Sequence, residues 1–265
     1  MSERIEVSEL IVAIQELHVR REQAIRMQIR IQNACGGYAR RLLGWRLDLP
    51  EAERTAIAKE AAKAVAMLMA DEHADVPHAM ELTPVVDAAR LSIPPWEGLA
   101  AVCEKRMAKL AAELPAVAFV ETVRGFGTTG FAQIVGEAGD LAGYANPAKL
   151  WKRMGLAVAA DGKCQRKSTD PETAAAMGYN PRRRSIMWRI GDSLLKGNKD
   201  GYREMYLSRK AMELERLPAD EKGRKMHAHR RAQRYVEKRL LRDLWRAWRG
   251  LKAHDGQTSP AAPLS

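Results

Sequence analysis

The stretch Gly125-Phe126-Gly127-Thr128-Thr129-Gly130 decides the fold, because its residues fit two different structures. As G-x-G-x-x-G it fits the phosphate-binding turn of a dinucleotide-binding fold, which needs a strand before the glycines and a second strand after the following helix. As a glycine turn between two helices it predicts a helix-hairpin-helix unit. There, glycine supplies a positive φ, and the second helix offers backbone N–H groups to a phosphate.

The flanking segments favour the helical interpretation. Apolar residues recur at helical spacing on both sides of the glycines: Phe119, Val120 and Val123 before them, Phe131, Ile134, Val135 and Ala138 after them. Gly139 is placed to end the second helix, and no β-branched run follows Asp140 to make the second strand of a dinucleotide-binding fold. We therefore predict helix, glycine turn, helix. A turn that only joins two packed helices is the alternative.

The rest of the chain predicts an all-α protein, since good helix formers dominate and clusters of strand-forming residues are scarce. Periodic apolar residues predict helices over 6–34, 50–71, 96–114 and 227–249. We expect Cys35-Gly36-Gly37 to interrupt the first, and four prolines to mark connections: Pro77, Pro84, Pro94 and Pro95.

These elements suggest three regions. Residues 1–115 are expected to form a long-helix bundle or a coiled coil, either self-contained or joining two copies as a homo-oligomer. Residues 116–250 are expected to form a helical domain that contains the glycine hairpin. Residues 251–265, rich in small and polar residues and proline, are expected to be a disordered tail.

The charge is strongly asymmetric. The chain has 44 Lys and Arg against 33 Asp and Glu, a net charge of +11 and a pI near 9.7. Residues 141–250 contain 27 basic and 12 acidic side chains, so their net charge is 27 − 12 = +15 and the remainder carries 11 − 15 = −4. This skew favours a polyanionic partner, with a solvated basic surface as the alternative.

Three groups of residues are candidates for DNA contact. The hairpin offers the backbone of Gly125, Gly127, Thr128 and Thr129, and a basic cluster follows at Arg182, Arg183 and Arg184. In the last helix, basic residues recur every three or four positions beside an apolar face: Arg231, Arg234, Lys238 and Arg242. Such contacts position a nucleic acid without reading its sequence.

Other chemistry is sparse in the sequence. Three widely spaced cysteines argue against a disulfide framework, and no apolar run reaches the length of a membrane helix, so we expect a cytoplasmic protein without a membrane partner. The histidine pairs His73 with His78 and His227 with His229 lack the Cys or carboxylate ligands of a zinc site. No Walker sequence is present. We expect no metal and no cofactor.

The glycine hairpin is followed by motifs that carry a family resemblance: Gly139-Asp140-Leu141, 144–150, Gly155-Leu156, Asp161-Gly162-Lys163, and Gly178-Tyr179-Asn180 before a basic helix. In order and spacing, residues 116–250 resemble the C-terminal domain of insertion-sequence transposases of the one-ten family. The resemblance implies a role in DNA transposition or recombination. Because some of these recombinases are guided by an RNA, it also makes a guide RNA a candidate partner.

Two departures from the family limit the catalytic expectation. The chain starts with helices, whereas the family starts with a RuvC-like nuclease domain and its metal-binding carboxylates. The family's serine nucleophile corresponds here to Asp161, which cannot form a phosphoserine link to DNA. Ser168 and Ser185 lie nearby as substitutes. We expect a DNA-binding protein; the alternatives are an active transposase with a serine nucleophile and a helical scaffold for a protein partner.

Overall fold

Ten α-helices and no β-strand make up the part of the chain that this computed structural model describes, residues 6–159, 162–197, 201–219 and 222–251. The all-α class is therefore confirmed. The helices are α1 (Val7–Leu42), α2 (Glu51–Met69), α3 (Ala79–Ala111), α4 (Val117–Thr122), α5 (Thr128–Ala138), α6 (Pro147–Arg153), α7 (Pro171–Met177), α8 (Pro181–Gly197), α9 (Tyr202–Arg216) and α10 (Arg224–Trp248).

Two compact units divide the chain, and the first comprises residues 19–105. Its core joins three helices through mostly small and aliphatic side chains: Cys35 and Ala39 of α1, Ala61, Ala64 and Leu68 of α2, and Leu82, Val86, Ala89 and Ile93 of α3. Arg21, itself buried, forms an ion pair with Glu104 at 2.7 Å. Assembly of this unit with a second copy stays a prediction.

The expected break in α1 at Cys35-Gly36-Gly37 is wrong, because the helix continues to Leu42. Each glycine inside a helix costs about 1 kcal/mol relative to alanine. Burial of Cys35 and Ala39 on the same helix offsets this cost. Cys35 Sγ also lies 3.8 Å from the carbonyl oxygen of Val85, which anchors this stretch of α1 to α3.

The expected connections at three prolines are also wrong, since Pro84, Pro94 and Pro95 lie inside α3. A proline removes one helical hydrogen bond and costs about 3 kcal/mol in a helix interior. The apolar stripe of α3 runs through these prolines into the core and offsets that cost. The hydroxyls of Thr83 and Ser92 donate to helix carbonyls at 2.7 and 2.6 Å, as is common where helices bend.

The second unit contains residues 6–18 and 106–251 of the described chain. The start of α1 packs on α5, where a Cβ on Gly136 would lie only 2.7 Å from the His18 side chain. Phe131 of α5 meets Trp248 of α10 edge to face, with ring centroids 5.9 Å apart. The predicted domain boundary at residue 115 stays a prediction. Of the tail expected over 251–265, residues 252–265 lie outside the described residues.

Helices α9 and α10 form the frame on which the basic residues are placed. They run antiparallel: the Tyr202 hydroxyl at the start of α9 donates to Asp243 near the end of α10 at 2.9 Å, and Glu213 near the end of α9 pairs with Arg231 near the start of α10. Residues 157–159 and 162–165, which we call the 157–165 loop, lie beside these two helices. An antiparallel bridge joins Val158 to Cys164. None of the described helices has the length and apolarity to cross a bilayer.

Candidate nucleic-acid interface

The glycine stretch forms the helix, turn, helix arrangement expected from the sequence. Helix α4 ends at Thr122, and α5 begins at Thr128 with Gly127 as its N-cap. Gly125 has φ of +87°, and a Cβ there would lie 2.7 Å from the carbonyl oxygen of Ser193 in α8. Positive φ and close packing on α8 therefore both require glycine at this position, and neither requirement involves a ligand.

Gly125→Ala is expected to lower the free energy of unfolding by on the order of 2–4 kcal/mol, because alanine is strained at this φ and its methyl group meets backbone that cannot rotate away. Gly127→Ser is the matched control. Gly127 has φ of −102° and open space around its Cβ position, and serine is a good N-cap, so stability should be unchanged or slightly higher. Urea denaturation of both variants tests this; equal stabilities would contradict the packing argument.

The basic cluster Arg182, Arg183 and Arg184 is held by buried carboxylates. Arg182 Nε lies 2.6 Å from Glu137 Oε1, and Arg183 Nε lies 2.8 Å from Glu137 Oε2. His18 Nε2 also lies 3.1 Å from Oε1 of Glu137. Arg182 and Arg183 thus share a structural partner, and the DNA contact expected for the cluster stays a prediction.

Glu137 is ionised because its partners outweigh its burial. Burial alone raises the pKa of this carboxyl, but hydrogen bonds from His18, Arg182 and Arg183 hold the pKa well below its usual range. A carboxylate whose pKa is lowered in the folded state stabilises the fold above its ordinary pKa. That stabilisation is lost as the pH falls toward the lowered value.

Glu237 has the opposite electrostatic character. It is fully buried in α10, and burial raises its pKa to about 7 despite Arg184, whose Nη1 lies 2.8 Å from Oε2. This contact is close enough for an ion pair, but neither carboxylate oxygen receives a well-aligned hydrogen bond from the described residues. Gly191 of α8 makes the room, since a Cβ there would lie 2.7 Å from Glu237 Oε1.

Glu237→Gln is expected to remove a pH dependence of stability. The pKa of Glu237 is higher in the folded chain than the usual 4.5. The protonated side chain therefore contributes fully to the stability of the fold below about pH 4.5, and this contribution, up to about 3 kcal/mol, is lost as the pH rises through 7. Urea denaturation at pH 5 and pH 8 should show a smaller difference for Glu237→Gln than for the wild type. Glu215→Gln, at an exposed position, is the control and should show the same difference between the two pH values as the wild type. If Glu237→Gln also showed that difference, Glu237 would not be the group that causes it.

The strongest concentration of positive charge surrounds a cleft of about 920 Å³ between the 157–165 loop, α9 and α10. We call it the basic cleft. Eight Lys or Arg side chains line it: Lys163, Arg166, Arg209, Arg216, Arg230, Arg231, Arg234 and Lys238. Glu213 is the one carboxylate among the described lining residues. Clefts lined by one sign of charge concentrate ions of the opposite sign.

Glu213 positions two of these arginines instead of neutralising the basic cleft. It is buried, and its oxygens lie 2.5 Å from Arg209 Nη2 and 3.2 Å from Arg231 Nη1. One negative charge thus fixes guanidinium groups from two helices. The cleft keeps a large excess of positive charge.

Lys238 and Arg234 lie deeper in the basic cleft, on α10. Lys238 Nζ lies 5.4 Å from the centre of the Trp151 ring, and Arg234 donates a hydrogen bond to the Cys164 thiol. Burial lowers the pKa of Lys238, and the neighbouring Arg234 and Arg209 lower it further, against an opposing effect of Cys164. The positive charges here repel one another, which an anion in the cleft would relieve.

The structure brings only part of the sequence-predicted set together. Arg231, Arg234 and Lys238 share the basic cleft. Arg242 instead pairs with Asp243 at 2.7 Å, and the hairpin residues and the arginines of α8 are not among the lining residues.

The serine candidates lie elsewhere than the basic cleft. Ser168 Oγ accepts a hydrogen bond from the Asp170 amide at 3.2 Å, just before α7, and Ser185 is exposed on α8. Neither is among the residues that line the cleft. Asp161, which the family resemblance aligns with a nucleophile, lies outside the described residues. No group of three metal-binding side chains occurs in the described part of the chain.

Several residues of the basic cleft were not expected from the sequence. Arg209 and Arg216 lie seven positions apart on α9, a spacing that places both on one helix face and could have indicated them. Lys163 and Arg166 reach the cleft only because the 157–165 loop folds back beside α10, which local sequence does not indicate.

Comparisons of the chain with models of known protein families, with curated proteins and with solved structures give no match. The described part of the chain is thus an all-α protein in which a pair of helices and a short loop enclose a basic cleft.

Proposed function

We propose that this protein binds DNA through the basic cleft. The observation that carries the proposal is the ratio of eight Lys and Arg to one carboxylate around a single concave surface. Guanidinium groups match phosphate geometry with paired hydrogen bonds, and six of the eight cations are arginines. A role in transposition or recombination rests on the family resemblance alone.

The mode of binding follows from the kind of residues present. Phosphate contacts by Lys and Arg release condensed counterions, which makes affinity salt-dependent and insensitive to sequence. The repulsion between the positive charges around Lys238 also favours binding, because phosphates in the cleft would stabilise charges that destabilise one another in the free protein.

Fluorescence anisotropy with two duplexes of unrelated sequence tests this proposal. Between about 50 and 200 mM salt, the logarithm of the association constant should fall linearly with the logarithm of the salt concentration, with a slope steeper than about −3 and similar for both duplexes. Absence of binding at the lowest salt would refute the proposal, and a strong difference between the sequences would refute the sequence-independent mode.

A further inference from the structure

The basic cleft combines its positive charge with apolar side chains that face the same space. Val158 lines the cleft and is 54% exposed. Tyr179 also lines the cleft, and one edge of its ring lies against Gly155, where a Cβ would be 3.6 Å from Tyr179 Cε2. Its ring is thus half-buried and held in place. A phosphate group gains nothing from contact with apolar side chains, whereas the flat face of a base does.

The dimensions of the basic cleft exclude a double helix from its interior. The volume of the cleft is about 920 Å³, far less than that of one turn of a double helix, whose major groove alone is about 12 Å wide. Cavities of this size enclose ligands comparable to a few nucleotides or a drug-sized molecule. A duplex could therefore contact only the cations at the rim.

Resting on the proposed DNA binding, we propose that the basic cleft takes up a few unpaired nucleotides of a DNA strand. The backbone phosphates lie against cations such as Arg230 and Lys163, while a base covers Val158 and packs on Tyr179. Sites for single strands combine a positive groove with aromatic side chains in this way, because every base has a face that can stack. The preferred substrate is thus a duplex with an unpaired end.

The test compares one labelled duplex in two forms, blunt and with an overhang of about four nucleotides, at a single salt concentration. Wild-type protein should bind the overhang form about tenfold more tightly than the blunt form, as stacking of a base predicts. Val158→Ala and, separately, Tyr179→Ala should reduce this preference toward equal binding without weakening binding of the blunt duplex, since neither changes a charge. Leu207→Ala, an exposed apolar residue of α9 that does not line the cleft, should keep the preference.

The outcomes separate this inference from the function on which it rests. Equal binding of blunt and overhang duplexes by the wild type would overturn the inference and leave DNA binding intact. A preference that survives in both Val158→Ala and Tyr179→Ala would also overturn it. Failure of both duplexes to bind at low salt would refute DNA binding itself.

Discussion

Replacing Arg216, Arg230 and Arg231 together with glutamine is expected to lower the affinity for duplex DNA roughly 100-fold near 0.1 M salt. All three line the basic cleft and are exposed. Glu213 keeps Arg209 as its partner when Arg231 is replaced, so glutamine should keep the fold while removing three positive charges. The slope of affinity against salt should become shallower by nearly 3, since each lost phosphate contact removes about 0.9. Anisotropy titrations at several salt concentrations measure both changes.

The matched control carries the same change of charge on α3. Lys105, Arg106 and Lys109 are exposed and do not line the basic cleft, so their joint replacement by glutamine should change affinity only a few-fold through the weaker overall field. An equal loss of DNA affinity in the two triple variants would show that net charge alone governs binding. The basic cleft would then not be the site.

Glu137→Gln is expected to lower the free energy of unfolding by about 3 kcal/mol at neutral pH. The change removes the enclosed carboxylate that pairs with the mostly buried Arg183 and with the more exposed Arg182. Removing one partner of a buried pair is costly because the remaining charge has lost its water as well. Urea denaturation measures the effect.

The pH dependence distinguishes the ion pairs of Glu137 from simple packing. Because the pKa of Glu137 is lowered in the folded state, the difference between wild type and Glu137→Gln should narrow as the pH falls below the ordinary carboxyl pKa near 4.5. The exposed Glu121→Gln should have little effect at any pH. A stability loss for Glu137→Gln that is independent of pH would contradict the electrostatic role.

The sequence predicted those parts of the fold that depend on local periodicity. The glycine turn, α5 and α10 lie within a few residues of their expected bounds, because apolar spacing and terminal glycines indicate such helices directly. The errors in α1 and α3 have a common cause: glycine and proline penalties of a few kcal/mol were outweighed by packing between distant segments. Such packing is not visible in a short window of sequence.

The candidate site was predicted only where one helix supplies it. The face of α10 with Arg231, Arg234 and Lys238 follows from spacing along the helix. The arginines of α8 look equally basic in sequence, yet Glu137 and Glu237, more than 40 residues away in each direction, form their ion pairs. A cluster of positive charge in a sequence does not reveal whether its counterions are inside the protein or outside it.

The pairing of Glu213 with Arg209 and Arg231 has a consequence for the entropy of binding. A long side chain that becomes immobile on binding loses rotational freedom, at a cost of about 0.5–1.5 kcal/mol. Glu213 already restricts these two guanidinium groups in the unbound protein, so that this loss occurs during folding. A single buried acidic residue among eight basic ones can therefore strengthen, and not weaken, the attraction of the basic cleft for an anion.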